Sequence, residues 1–417
     1  MDPRFRAPYN RHFTERFYQR YLTRLSDRLG CSIPFRVAET PFFIPTPLRD
    51  RLAEDARGIV AEITRPALLE KLKRAIPAHL DVPAMDALPN CIQVDFAITK
   101  NATTGELEGK VVELQAFPSL YALMVIQHAT MMEALEEVPE IDPRLSIYFG
   151  GLDAKRFIEK LSGAVVGDAS PEETVLLDLH PETQKTFPDF AATKLLLGVD
   201  AVCPTSLEKE GRKLFRYRKT ASGTERIQVK RLYNRIVFDE LEKEGTSLPF
   251  KYTDDLDVTW CSHPNWYWVL SKYTLPFIEH RAVPKARTLA ELGADVPGDL
   301  ENYVLKPLFS FAGAGVKVDV SREDVDAIPA EQREGWLLQE KIVYHPGIEM
   351  PDPNPPDGGS NRVKAEVRMM FLRGPTDSKP ELVLNLVRLS RGKMLGVDQN
   401  KNLTWVGGSV GLFEPTR

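Results

Sequence analysis

A lysine followed by a loop of small residues, within 303–320, can bind an anion. The apolar run Tyr303–Leu305 ends at Lys306, before a proline. The loop at 310–315 is rich in Gly and Ala, and the valines of 316–320 alternate with polar residues. That alternation predicts a half-buried strand, so we expect a hairpin whose tip brings backbone N–H groups beside a lysine. Such a tip can hold a phosphate group, although an ordinary turn has the same composition.

The loop differs from the two commoner phosphate-binding motifs. The chain has no GxxxxGK[ST] sequence, and the loop leads into a predicted strand rather than a helix, as a Rossmann fingerprint would require. GxSxG, HExxH and Cys–His signatures are also missing, and the seven histidines and four cysteines are scattered. The sequence therefore argues against a nucleophilic or zinc-dependent mechanism.

Two neighbouring predicted strands carry side chains that can hold a hard cation. Asp95 lies on the polar face of the first strand, while Glu113 and Gln115 are two residues apart and share a face of the second. An antiparallel pair would present all three to one pocket, as an oxygen-only set suited to Mg²⁺. The alternative is a solvated polar face. Against that alternative, Glu113 lies inside the apolar run VVELQAF.

Length and composition bound the class of protein. A chain of 417 residues with 43% hydrophobic and 27% charged residues is typical of a globular protein with two or three domains. The net charge of −5 argues against a nucleic-acid partner. The charged N-terminus is unlike a secretory signal, and no apolar run reaches the ~20 residues of a membrane span. We therefore expect a cytoplasmic protein without a membrane partner.

The hydrophobic pattern predicts a mixed α/β chain. Helices are predicted over 10–30, 48–75, 119–135, 186–197, 262–277 and 325–332. Strands are predicted at 92–96, 110–115, 173–179, 200–205, 214–218, 227–231, 303–306, 316–320, 336–342, 365–372 and 381–389. The strand–helix–strand succession between 173 and 205 favours a parallel α/β unit, and the proline-rich stretch 351–361 is typical of a loop.

Lys306 with its loop, the strand WLLQEKI that follows, and the acidic strand pair together resemble the nucleotide half of the ATP-grasp fold. In that family two α+β subdomains clamp ATP, a lysine and a Gly-rich hairpin hold the phosphates, a hinge strand bonds the adenine, and acidic side chains hold Mg²⁺. Here the acidic strands precede the loop. That order resembles the circularly permuted group that includes the glutathionylspermidine-synthase-like proteins, and the resemblance extends from about residue 91 to the C-terminus.

The resemblance implies a fold and a set of site residues. The implied architecture is a circularly permuted ATP-grasp fold with an additional α/β, pre-ATP-grasp-like lobe. We expect N-terminal helices and the metal-binding strand pair in 1–144, the α/β lobe in 145–260, and the nucleotide-binding lobes in 261–417. The implied metal ligands are Asp95, Glu113 and Gln115, with Gln where Asn is usual. The implied nucleotide-binding residues are Lys272, Lys306, Ser310, Ala312, Gly313, Gly315, Gln339, Glu340 and Ile342.

The implied activity is an ATP- and Mg²⁺-dependent carboxylate–amine or carboxylate–thiol ligase that acts through an acyl phosphate. Small-molecule carboxylates and amines would be its partners; the family's substrate segments find no match here, so glutathione and spermidine are not implied. Arginine can bind a carboxylate or acyl-phosphate oxygen bidentately, which makes Arg388, Arg391 and Arg368 candidates for catalysis, with ordinary ion pairs as the alternative. Arg368 shares a strand face with Glu366. A non-catalytic nucleotide-binding relative and an ATP-dependent phosphotransferase on a small molecule are the two alternative functions.

Overall fold

The computed structural model describes residues 1–237, 241, 245–310, 313–352, 360–392 and 403–415. The helices are α1 (Pro3–His12), α2 (Glu15–Leu29), α3 (Thr46–Ile63), α4 (Pro66–Leu72), α5 (Tyr121–Leu135), α6 (Ala154–Val165), α7 (Phe187–Leu197), α8 (Trp266–Val269), α9 (Leu289–Leu292) and α10 (Arg322–Asp326). The strands are β1 (Phe42–Phe43), β2 (Cys91–Lys100), β3 (Leu107–Gln115), β4 (Thr174–Leu177), β5 (Asp200–Val202), β6 (Glu208–Glu210), β7 (Lys213–Thr220), β8 (Gly223–Val229), β9 (Arg231–Asn234), β10 (Thr259–Cys261), β11 (Ala286–Thr288), β12 (Tyr303–Pro307), β13 (Trp336–Glu340), β14 (Ile348–Glu349), β15 (Arg362–Leu372), β16 (Glu381–Ser390), β17 (Gly407–Ser409) and β18 (Gly411–Leu412).

The largest sheet is antiparallel and joins strands that are far apart in the chain. Its order is β17-β16-β15-β2-β3, with β14 pairing to β15 at one end. One face of the sheet is apolar, and helix α3 packs on it, since Leu52 lies against Phe96 and the backbone of Gly109. A Cβ at Gly109 would lie 2.5 Å from the Leu52 Cδ2, so only glycine allows this close approach. The opposite face carries the polar side chains of the same strands.

The segment after α5 forms a separate parallel sheet in the order β10-β9-β4-β5, with α6 and α7 packed beside it. Its first unit runs from β4 through α7 to β5, and α7 ends at Gly198, which has a left-handed φ of 74°. The prediction of a parallel α/β unit is confirmed. A three-stranded antiparallel sheet, β6-β7-β8, is also formed here. Strand β10 spans the predicted boundary at 260, and the division into three segments stays a prediction.

A small sheet with its own apolar core follows, in the order β11-β13-β12. It joins the large sheet at β3, where the N–H of Val111 donates to the carbonyl of Ala282 at 2.7 Å. The side-chain amide of Gln339, on β13, donates to the carbonyl of Val111 at 3.3 Å. The edge of the large sheet and the small sheet therefore enclose a cleft between them.

Two predicted elements around this cleft are wrong. The valine-rich segment 316–320 belongs to none of the described strands, and its ladder contact is one bridge between Leu305 and Lys317. Strand β12 instead pairs along its whole length with β13. The predicted helix over 262–277 breaks at Leu270, whose extended backbone separates α8 from a 3₁₀ turn at Lys272–Phe277. The side chains of 316–320 nevertheless alternate in burial as predicted. Alternation in a sequence shows which side chains face the core, but it does not show which strand the segment pairs with.

Most other predicted helices and strands are present, with bounds shifted by a few residues. The predicted helix over 325–332 is not continuous, since α10 ends at Asp326 and a 3₁₀ turn covers Ala330–Gly335, and the predicted strand 227–231 spans the end of β8 and the start of β9. The first predicted helix is split, because the side chain of Thr14 caps a new helix by accepting from the N–H of Phe17 at 3.1 Å. None of the helices in the described ranges combines the length and the apolar character that crossing a bilayer requires.

Candidate functional site

The polar face of the large sheet gathers the predicted acidic and arginine side chains. Across the register, Asp95 is opposite Glu113 on one side and opposite Arg368 on the other. Glu366 is opposite Arg388. Residues directly opposite each other in an antiparallel pair point to the same face, so all five side chains share one surface.

A β-bulge at Val112 connects this surface to the predicted phosphate-binding lysine. Asp95 pairs with Glu113 while its neighbour Phe96 pairs with Val111, which leaves Val112 without a partner in β2. The Nζ of Lys306 donates to the Val112 carbonyl at 3.0 Å. Lys306 is 6% exposed. Burial lowers its pKa to about 8, with Glu113 opposing the shift and Lys272 adding to it.

The second predicted lysine reaches the same cleft from another element. Lys272 follows Ser271, whose side chain caps the 3₁₀ turn. The Nζ of Lys272 donates to the carbonyl of Ser310 and lies 3.3 Å from its hydroxyl. The same Nζ is 4.0 Å from the Glu113 Oε2. Two lysines that are 34 residues apart therefore lie on either side of Glu113.

Asp95 is held by two arginines of the sheet, Arg368 and Arg388. Arg368 binds it with two parallel hydrogen bonds, from Nε to Oδ1 at 2.6 Å and from Nη2 to Oδ2 at 2.7 Å. Arg388 also donates to Oδ2 of Asp95, and it donates to Glu366, whose other oxygen accepts from the Tyr344 hydroxyl at 2.9 Å. Burial would raise the pKa of Asp95, but the two guanidinium groups outweigh it and hold that pKa below its usual range. For Glu366 burial prevails, and its pKa is raised.

These contacts bear on whether a cation fits the predicted ligand set. Asp95 is 1% exposed, and both of its oxygens accept from arginine. The amide of Gln115 donates to the Oε1 of Gln93 at 2.7 Å, and Gln93 donates in turn to the carbonyl of Ser119 at 2.8 Å. Among the described residues, no three His, Cys, Asp or Glu side chains are placed to hold a metal ion. As they lie, the predicted ligands do not form a cation site, and the metal role of Asp95, Glu113 and Gln115 stays a prediction.

The cleft beside Glu113 has three walls and about 380 Å³ of empty space, including its open mouth. The walls are the end of β3 with the residues after it, at 113–117, the α8 region at 267–272, and the segment 308–310. Phe309 packs edge-on to Trp268, with ring centroids 5.0 Å apart. Lys272 and Ser310 close one end. The cleft is therefore apolar along much of its length and cationic where the lysines lie.

The predicted adenine-binding segment lies on the central strand of the small sheet, β13, and in the residues just beyond it. Gln339 is fully buried, and its amide faces β3 rather than the cleft. The N–H of Glu340 donates a hydrogen bond to the carbonyl of Lys285 at 2.9 Å. Ile342 and Val343 make no backbone hydrogen bond to another described residue, and Val343 is 81% exposed. Backbone groups just beyond β13 are thus available to a planar ligand, whereas Gln339 has a structural contact.

The remaining predicted site residues are spread more widely. Gly313 and Gly315 have φ values of 76° and 72°, so the turn they form requires glycine. Ala312 lies outside the described residues. Arg391 donates to the carbonyl of Ser360 at 2.8 Å, beyond the end of β16 and not to Asp95 or Glu366.

Sequence reasoning missed two members of the polar surface. Gln93 was not singled out, although it lies two residues before Asp95 on β2. That spacing places both side chains on one face of the strand. Tyr344, which lies outside the described strands and helices, gave no pattern that points to Glu366.

Comparison with known proteins places the fold. No family model matches the chain, and no curated protein matches its sequence. Similar solved structures include the apo form of a glutathione synthetase-like effector (GSS30) from Globodera pallida. That match has a TM-score of 0.55 and 10% sequence identity, and it covers 97% of this chain and 100% of the other. At this identity the likeness shows the fold alone: the chain has a mixed α/β fold similar to that of this neighbour.

Proposed function

We propose that this protein binds ATP in the cleft between its large and small sheets and acts as an ATP-grasp ligase. In the proposed reaction ATP phosphorylates a carboxylate, and an amine or a thiol then displaces the phosphate, leaving ADP and a new amide or thioester. We also propose that the ATP-grasp fold is circularly permuted. Strands β2 and β3 precede β12 in the chain, yet they continue the sheet of β15 and β16, which follow it.

One observation carries the proposal: Lys272 lines the cleft, and Lys306, from a separate element, lies close enough to it for the two ammonium groups to repel each other. Both ammonium groups are bonded to backbone carbonyls, of Ser310 and Val112. A neutral carbonyl compensates a buried charge less well than an anion does, so Lys306 gains when a phosphate group replaces or joins its contact with Val112. Two cations within one cleft suit the successive phosphates of a nucleotide.

The adenine would lie at the other end of the cleft. The backbone groups of Ile342 and Val343 lie immediately after β13 and make no hydrogen bond to other described residues. An adenine ring that hydrogen-bonds there would have its phosphates directed towards Lys306, whose strand β12 is the antiparallel neighbour of β13. The backbone groups available for hydrogen bonding thus lie apart from the lysine ammonium groups. A ligand with a hydrogen-bonding ring and a separate anionic group, such as a nucleotide, suits this arrangement better than a simple anion does.

The chain's own residues would supply charge neutralisation and orientation. Phosphoryl transfer spreads negative charge over the transferred group, and cationic side chains around it lower the barrier. Lys272 and Lys306 would neutralise the phosphates. Arg388 is 29% exposed at its side chain, unlike the more deeply buried Arg368, so it is the arginine placed to meet a substrate carboxylate and the phosphoryl group transferred to it. The apolar walls at 308–309 and 114–117 would exclude water from an activated acyl group.

Titration calorimetry with ATP tests the nucleotide site. We expect the wild type to bind and the Lys306→Met variant to bind at least about tenfold more weakly, because it loses a buried charge beside the phosphates. Lys317→Met is the matched control, since Lys317 belongs to the segment after the loop and pairs with Asp324 at the surface. Wild-type protein that does not bind ATP, or equal losses in the two variants, would contradict the proposal.

The second candidate function is nucleotide binding without turnover. It is favoured by the saturation of Asp95 by two arginines, which removes a carboxylate from the predicted metal set. ADP release during incubation with ATP, mixed carboxylates and mixed amines separates the two functions. Turnover that depends on a carboxylate supports the ligase, and ATP binding without any ADP release supports the non-catalytic protein. Hydroxylamine trapping as a hydroxamate then distinguishes acyl activation from phosphoryl transfer to a hydroxyl.

A further inference from the structure

The side chains that the ATP-grasp resemblance assigns to Mg²⁺ are used here in a different way. Asp95 meets two guanidinium groups, and Gln115 is bonded to Gln93. We propose that the cleft binds the phosphate groups of its ligand through its own cationic side chains, without a divalent cation. This inference rests on the proposed nucleotide site and concerns how that site neutralises charge.

The ion pair at Asp95 is costly to open. Asp95 is 1% exposed, and the Arg368 side chain is 7% exposed, so both charges have lost most of their water. Removing one partner from a buried pair leaves an uncompensated charge, at a cost of several kcal/mol. A cation that took Asp95 as a ligand would have to displace Arg368 or Arg388, and the displaced guanidinium would remain at the same surface. The arginines therefore compete directly with a metal ion for this carboxylate.

The cations that remain have unused donors. Lys306 is 6% exposed, and its Nζ makes one hydrogen bond to the described residues, to the Val112 carbonyl, although an ammonium group has three donors. The Nε–H of Arg388 is buried and has no hydrogen-bond partner among the described residues. A buried donor on a charged group is expensive to leave unpaired unless a ligand completes it. Both groups lie near Glu113 and Glu366, at the polar surface beside the cleft.

The balance of charge points the same way. The polar surface and the cleft carry four cationic side chains, Lys272, Lys306, Arg368 and Arg388, against three carboxylates, Asp95, Glu113 and Glu366. Two of the carboxylates are hydrogen-bonded to arginine. The third, Glu113, lies near both lysines, and its carboxylate makes no hydrogen bond to another described residue. An incoming polyphosphate thus meets a cationic surplus before any metal is added.

Calorimetry in two buffers tests the inference on the wild-type protein. ATP and inorganic tripolyphosphate are each titrated in excess EDTA and then in excess Mg²⁺. We expect ATP to bind in EDTA at least as tightly as in Mg²⁺, with the two dissociation constants within about threefold of each other. The reason is that free ATP carries more negative charge than its magnesium complex. ATP binding that is about tenfold or more tighter with Mg²⁺ would overturn the inference and leave the proposed function standing.

The tripolyphosphate arm separates the two proposals. Tripolyphosphate that binds in EDTA while ATP binds in neither buffer would support the metal-free cationic site and refute the nucleotide function. If neither ligand binds in either buffer, both proposals fall. Mn²⁺ alone, followed by electron paramagnetic resonance, adds a direct test: a stoichiometric Mn²⁺ site in the wild type that is lost on Asp95→Asn would overturn the inference.

Two substitutions test which side chains bind the phosphate groups. Arg388→Gln should weaken tripolyphosphate binding in EDTA by about tenfold, whereas Arg362→Gln, at an exposed position on the same sheet, should change it by less than about twofold. Asp95→Asn removes a negative charge beside the ligand and releases the arginines, so binding in EDTA should tighten. A thermal melt checks that each variant is folded. Loss of binding in a folded Asp95→Asn protein would contradict the proposal.

Discussion

The buried ion pair between Asp189 and Arg235 allows a quantitative prediction. Arg235 follows β9 and Asp189 lies in the first turn of α7, and the Nη1 of the arginine is 2.6 Å from Oδ2 of the aspartate. Their side chains are 2% and 1% exposed. We predict that removing either partner destabilises the fold, and that the two losses are unequal.

The inequality follows from what each partner retains. Asp189 also accepts the backbone N–H groups of Leu120 and Leu123, at 2.9 and 3.0 Å, where α5 begins. A carboxylate at the start of a helix is stabilised by these donors and by the helix dipole. Arg235, without Asp189, faces only the rings of Phe117 and Phe190 among the contacts that the described residues provide, with its guanidinium carbon 5.3 and 5.0 Å from the ring centroids.

The magnitudes follow from these contacts. Asp189→Asn leaves a buried guanidinium without a counter-charge, and we expect it to lower the free energy of unfolding by about 3–5 kcal/mol. Arg235→Met leaves a carboxylate with two backbone donors, so its cost should be smaller by about 1–2 kcal/mol. The double variant should cost less than the sum of the single variants, with a coupling energy of about 1–3 kcal/mol.

Urea unfolding followed by tryptophan fluorescence measures all three variants. Asp255→Asn is the control, because Asp255 pairs with Arg212 at 2.9 Å while both side chains are more than 60% exposed. The control should change the free energy of unfolding by no more than about 0.5 kcal/mol. A cost below about 1 kcal/mol for Asp189→Asn, or a cost for Arg235→Met that equals or exceeds it, would refute the reasoning.

Three further predictions concern single residues. Because the pKa of Lys306 is lowered to about 8, its ammonium group loses its proton as the pH rises through about 8. ATP affinity measured by calorimetry should therefore fall over this range. An affinity that is constant from pH 7 to 9 would contradict this prediction. The unfolded chain binds more protons at this lysine between pH 8 and its usual pKa, so its contribution to stability should rise with pH there. Gly109→Ala should cost about 1–3 kcal/mol in urea unfolding, since its Cβ would lie 2.5 Å from Leu52 and 2.8 Å from Phe96, and an unchanged midpoint would show that α3 shifts freely. Gly163→Ala, inside α6 with no atom within 4 Å of the new Cβ, should raise stability by about 0.5–1 kcal/mol, and a lower midpoint would contradict the helix propensity argument.

Much of the secondary structure could be predicted because its signals are local. The alternation in β2, β15 and β16 places polar and apolar residues on opposite faces, and the structure has these strands within a few residues of the predicted bounds. The same rule failed for 316–320, where the alternation is real but the contact with β12 is limited to one bridge, between Leu305 and Lys317. A period of two reports burial, and it carries no information about which backbone completes the ladder.

The candidate site was predicted as a set of residue types, and its contacts were not. Placing Asp95 with Glu113 required only the spacing within one hairpin, and the register has them opposite each other. The contacts of Asp95 with Arg368 and Arg388 depend on strands more than 270 residues away. No local pattern relates residues at that separation. The sequence therefore predicts Asp95 as a metal ligand, whereas in the structure its carboxylate forms ion pairs with the two arginines.

The sequence by itself determined most of the element types, the polar and apolar faces of strands such as β2, and the presence of a lysine just before a small-residue loop. Tertiary structure decided the rest: the pairing of β2 with β15, the bulge that turns the Val112 carbonyl towards Lys306, and the approach of Lys272 to Ser310. The physical reason is that propensity and periodicity act over a few residues, whereas backbone hydrogen bonds in a sheet are the same for any side chains. Which strands meet, and which charges therefore pair, is settled by packing of the whole apolar core.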